Sequence, residues 1–70
     1  MAGMADFLLY GLDENGAVQE SELLAGITRD EAERMAREWL ATYEVVEVWE
    51  GSIRVLTLDR RTHDPSARAD

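Results

Sequence analysis

The spacing of apolar residues changes character along the chain, and the changes mark out five elements. From residue 28 to 43, Ala32, Met35, Ala36, Trp39, Leu40 and Tyr43 recur at intervals of three and four. That is the stripe of an amphipathic helix packed on one side. Its start is written just upstream. Thr28 followed three residues later by Glu31 forms a capping box, and Ile27 outside it can pack on Ala32. On the opposite face Asp30 with Arg34, and Glu33 with Arg37, are spaced i, i+4 as solvated ion pairs.

After the helix, Glu44 to Trp49 and Ile53 to Leu58 are rich in β-branched residues and are separated by Glu50-Gly51-Ser52, so they read as a hairpin. A two-residue Glu50-Gly51 loop would set Val48 opposite Ile53, Val46 opposite Val55 and Glu47 opposite Arg54. One face would then hold Val46, Val48, Ile53 and Val55, suited to the helix. The other would hold Val45, Trp49 and Leu56 around the Glu47–Arg54 pair.

Before the helix, the apolar run Phe7 to Leu12 meets Asp13-Glu14-Asn15-Gly16, and Ala17 to Leu24 returns. Asn-Gly is a strong hairpin signal because both residues tolerate positive φ. The expected fold is therefore α+β: a β-hairpin, one amphipathic helix and a second β-hairpin (ββαββ), giving a four-stranded sheet covered by the helix on one face. Residues 1–5 are expected to be a flexible N-terminus, 6–58 one ββαββ domain and 59–70 a disordered polar tail.

A single helix covers one face of such a sheet, yet Leu8, Tyr10 and Leu12 alternate with Phe7 and Leu9 on the first strand, and both sets are apolar. With Trp49, Val45 and Leu56 added, the second face would be a large apolar patch, and Trp49, Val45, Leu56, Glu47 and Arg54 are the candidate interface residues. Seventy residues without a cysteine make a small core with no disulfide to reinforce it, which also favours pairing with a second copy.

Charge adds a second candidate surface. Fifteen acids face seven bases, all arginine, for a formal net charge of -8. Direct nucleic-acid binding, which rests on cations neutralising phosphates, is not expected. Residues 6–28 carry five acids and no base, whereas the helix region is nearly balanced. Asp13, Glu14, Glu20, Glu22, Glu44 and Glu50 form the candidate acidic surface, with solvated strand faces and charged edges as the plainer account of the same residues.

Material for catalysis is scarce. His63 has no second histidine or cysteine beside it, and Ser21, Ser52 and Ser66 have no base in a plausible arrangement. Asp13-Glu14-Asn15-Gly16 fails as a calcium loop because its glycine stands fourth rather than sixth. Neither catalytic residues nor a metal or cofactor are expected. The opening residues show neither a signal peptide nor a membrane anchor, so a cytoplasmic location is expected.

With Asp13, Asn15 and Gly16 at the first turn and Val46-Glu47-Val48-Trp49-Glu50-Gly51 and Val55 in the second hairpin, residues 6–58 resemble a group of short, uncharacterised bacterial ββαββ proteins. The resemblance implies the fold and carries no activity. In size, charge and element order the chain is also similar to several small phage anti-CRISPR proteins, which implies action by occupying protein surfaces. Two functions are thus expected: a non-enzymatic protein–protein interaction module, as a homodimer, or an acidic decoy that blocks a basic nucleic-acid-processing protein.

Overall fold

The computed structural model describes residues 3–63, with side chains to residue 61. Two antiparallel strands, β1 (Ala5–Leu12) and β2 (Val18–Ile27), precede the helix α1 (Arg29–Trp39). Strands β3 (Val45–Glu50) and β4 (Ile53–Asp59) follow, and a single helical turn, α2 (Arg60–His63), closes the described chain. All four strands join one antiparallel-paired sheet in the order β2-β1-β3-β4. The helix crosses from one edge of the sheet to the far side of β1, which places the first strand in the middle.

The helix begins where its cap dictates. Thr28 Oγ1 accepts from the Glu31 N–H at 3.2 Å, and the Glu31 carboxylate accepts from the Thr28 N–H at 3.1 Å. Such a cap contributes about 1 kcal/mol. Ala32, Ala36 and Leu40 are buried, with Met35, Trp39 and Tyr43 packed beside them. The small alanines let the helix lie close to the sheet, against Phe7, Leu9, Leu24, Val46, Val48 and Leu58. Of the two expected ion pairs on the outer face, Glu33–Arg37 forms at 2.7 Å. Asp30–Arg34 is not among the ion pairs of the described residues.

Local detail departs from expectation in three places. The first turn is a three-residue loop closed by Asp13 and Ala17, and only Gly16 takes a positive φ, of 84°. Asn15 keeps a negative φ because a type I turn followed by a left-handed glycine closes this hairpin.

In the second hairpin the loop is Gly51-Ser52, not Glu50-Gly51, with Glu50 opposite Ile53 and Trp49 opposite Arg54. A shift between Val48 and Trp49 then sets Val48 against Leu56 and Val46 against Leu58. The bulge turns two leucines toward the helix and leaves Ile53 66% exposed. Leu58 is then buried and Leu56 half-buried against the core, where Val55 also keeps partial burial, and full burial of such a side chain contributes about 1.5–3 kcal/mol. Leu56 therefore belongs to the helix side, and its assignment to the open face is corrected.

At the two ends the ordered chain reaches beyond 6–58. Ala5 pairs with Ile27, and Asp59 belongs to β4. Arg60 donates from Nε to the Leu40 carbonyl at 2.9 Å and from its guanidinium to Glu44 at 3.1 Å. That clasp satisfies an orphan carbonyl at the end of α1 and ties the start of the supposed tail to the helix. Residues 1–2 and 64–70 of the expected flexible ends lie outside the described residues, as does the side chain of His63.

Candidate interaction face

Strand register sorts every side chain to one of two faces. Leu9 and Gly11 of β1 pair with Val48 and Val46, all beneath the helix, so the even-numbered residues of β1 point away from it. Three rows cross the helix-free face: Leu23–Leu8–Trp49–Arg54, then Ser21–Tyr10–Glu47–Thr57, then Val18–Leu12–Val45–Asp59. Leu12 is nearly buried at the turn, Leu8, Tyr10, Val45 and Trp49 are half-buried, and Leu23 and Val18 are 63% and 55% exposed.

The centre of this face is held in one arrangement. The Tyr10 and Trp49 rings meet edge to face with centroids 6.4 Å apart. The Trp49 indole N–H donates to one Glu47 oxygen at 3.0 Å, and Arg54 donates to the other at 3.2 Å. Glu47 thus fixes the indole plane while its own charge is matched by Arg54. Asp6, on the same side of β1, accepts the Gly26 N–H at 2.9 Å, and Asp59 pairs with Arg61 at 3.8 Å. Each acid of this face has a local partner, so the face is close to neutral on a strongly acidic chain.

Four of the five candidate interface residues, Trp49, Val45, Glu47 and Arg54, fall on this face, while Leu56 does not. Leu8, Tyr10 and Leu23 complete it. The apolar alternation of β1 signals the first two, whereas placing Leu23 requires the β1–β2 register.

The six acidic candidates do not share one surface. Glu20 and Glu22 lie opposite Gly11 and Leu9, hence on the helix side of the β2 edge. Glu20 accepts a hydrogen bond from the Tyr43 hydroxyl, and this carboxylate beside the phenol raises the Tyr43 pKa above its ordinary value of 10.0. Asp13 is committed to the turn, accepting from Asn15 and Ala17 N–H groups at 2.8 and 2.9 Å. Glu44 pairs with Arg60 at 3.1 Å. Glu14 is exposed in the first turn and Glu50 at the end of β3.

Asp13, Glu14, Thr42, Tyr43 and Glu44 border a shallow hollow of about 360 Å³ at the turn end of the molecule. It is an open depression rather than a pocket able to desolvate a reacting group. Among the described residues, no group of three or more His, Asp or Glu side chains is placed to hold a metal ion. No helix among them is long and apolar enough to cross a membrane. No protein-family model, curated protein or solved structure matches this chain.

Proposed function

We propose that the protein is a non-enzymatic interaction module that pairs with a second copy of itself through the helix-free sheet face. The observation that carries this reading is the row Leu23–Leu8–Trp49 lying beside Tyr10 with no second layer over it among the described residues. Every acid on that face has its own partner, so two copies meet there without opposing bare carboxylates. Four strands about 4.8 Å apart and about six residues long span on the order of 400 Å² in projection. Upright side chains raise the accessible area above that figure, toward the small end of stable interfaces.

The two bodies still repel at long range because each carries a formal charge of -8. Salt screens that repulsion, so pairing tightens as ionic strength rises. The acidic-decoy alternative has the opposite sign, since a complex with a basic partner loosens in salt. It is also the weaker reading, because Asp13 and Glu44 are spent on internal bonds and the other acids do not form one surface: Glu20 and Glu22 lie on the β2 edge, Glu14 in the first turn and Glu50 at the end of β3.

Light scattering at micromolar concentration, at low and high salt, tests the proposal. The expected result is a dimer that strengthens with salt. Trp49→Glu and Leu23→Glu should each give a folded monomer, the second without disturbing the packed core because Leu23 is exposed. A monomer at both salt concentrations refutes self-pairing, and an unchanged dimer in both variants moves the contact elsewhere.

A further inference from the structure

The two edges of the sheet are not alike. On β4, the Arg29 guanidinium donates to the Val55 carbonyl at 3.0 Å, and the shift opposite Val48 and Trp49 interrupts the ladder. These are devices that discourage another strand from adding. Strand β2 is interrupted only toward its two ends, by shifts between Val18 and Glu20 and between Leu24 and Ile27, where Asp6 takes the Gly26 N–H. At ten residues it is the longest strand, and among the described residues no side chain bonds the backbone of residues 18–25. Its register with β1 is unbroken from Glu20 to Leu24, so the run Glu20-Ser21-Glu22-Leu23-Leu24 presents a regular outer row of backbone groups.

Side chains on that edge specify what fits. Glu20 and Glu22 are two residues apart, both exposed and both on the helix side, while Ser21 and Leu23 point to the open side. An added strand lies about 4.8 Å away, and residues directly opposite have Cβ atoms about 5 Å apart. A second β2 is a poor occupant, because antiparallel pairing centred on Ser21 sets Glu20 against Glu22 twice, and centring on Glu22 sets that residue against its own copy. Residues 6–28 contain no base to relieve either arrangement.

We propose that the β2 edge binds an extended segment of a partner protein by strand addition, the segment carrying two basic residues at i and i+2 and an aliphatic residue on the opposite face. The basic pair lies over Glu22 and Glu20, and the aliphatic side chain lies against Leu23. Backbone bonds supply sequence-independent affinity, and the two carboxylates supply the choice of partner while repelling a second copy of the strand. This inference does not rest on self-pairing, which uses the sheet face and not its edge.

The probe is the synthetic peptide acetyl-Thr-Val-Arg-Thr-Arg-Thr-amide, titrated into isotopically labelled protein with backbone amide shifts as the readout. Shifts centred on residues 18–27 are expected. Binding should weaken about tenfold in the Glu20→Gln/Glu22→Gln variant, and the same peptide with glutamate in place of both arginines should not bind. Two versions N-methylated at alternate residues, one set starting at the valine and one at the first arginine, separate strand pairing from charge attraction. One of them should lose binding, because its methyl groups meet the edge. Retained binding by both refutes strand addition, as do shifts spread over the other carboxylates or the absence of binding. The Trp49→Glu variant, whose side chain lies on β3 away from this edge and whose monomeric state is read separately by light scattering, should still shift its β2 amides on peptide addition. A failure of self-pairing is thereby told apart from a failure here.

Discussion

Gly11 lies directly against the Tyr43 ring, and replacing it by alanine gives a sharp test of the packing. A Cβ at Gly11 would fall 2.6 Å from two ring carbons of Tyr43 and 2.9 Å from a third. Carbon atoms settle at about 3.5–4.0 Å, so the ring must retreat by about 1 Å. It has little room to do so. The Tyr43 hydroxyl donates to Glu20, its ring lies 5.4 Å from that of Trp39, and its N–H is bonded to the Trp39 carbonyl at 2.9 Å.

Gly11→Ala should therefore cost about 1–3 kcal/mol, the range for overpacking a tight site. In a domain of this size each kcal/mol lowers Tm by about 4–8 °C. In a Tyr43→Ala background the same change meets no ring and removes a strand glycine, which is worth about 0.5–1 kcal/mol in the stabilising direction. The double-mutant cycle should thus show coupling of about 1.5–4 kcal/mol, read from urea denaturation followed by tryptophan fluorescence. An equal cost of Gly11→Ala in both backgrounds would refute the argument that the ring dictates glycine at this position.

Two further outcomes follow from the same end of the molecule. In a Tyr10→Phe background, where Tyr43 alone titrates, tyrosinate absorbance should place its ionisation above the ordinary phenol value, and Glu20→Gln should lower it again. Because the folded pKa is raised, the associated stability is complete below about pH 10 and is lost as pH rises through the folded value. An ionisation that does not move on Glu20→Gln removes the carboxylate as its cause. Arg60→Ala should cost about 1 kcal/mol in thermal or urea unfolding, since it frees the Leu40 carbonyl and the half-exposed Glu44 carboxylate. Arg60→Lys should not restore it, because an ammonium cannot serve both acceptors with a planar fork, and full rescue by lysine would contradict the clasp.

Features set by neighbouring residues are legible in the sequence itself. Thr28 with Glu31, and the helix stripe from Ala32 to Tyr43, depend on intervals of three and four, which the chain displays directly. The opposite facing of Trp49 and Val48 follows from alternation alone. What escaped was decided by competition between distant groups. The bulge in the second hairpin exists because Leu56 and Leu58 seek the helix, and no local rule ranks them above Ile53 and Val55. Gly11 looked like one residue of an apolar strand, since the tyrosine that presses on it arrives thirty-two positions later. Arg60 sits in a stretch whose polar composition resembles a loose end, and composition is blind to a single anchoring fork. The candidate face was half visible for the same reason: its β3 members share one strand, while Leu23 joins only through the pairing of β2 with β1.

Strand order also governs how the chain must assemble as it is synthesised. Because β1 sits between β2 and β3, one of its edges is met within a local hairpin and the other only by residues 45–50. A nascent chain carries Phe-Leu-Leu-Tyr-Gly-Leu with one flank bare until residues 45–50 have been made. Each hairpin closes a short loop, but joining the halves closes a long one, which makes that docking the costlier closure in chain entropy. During that interval the uncharged core of β1 is the segment most prone to pair with the wrong neighbour, so the period of greatest aggregation risk ends when β3 arrives.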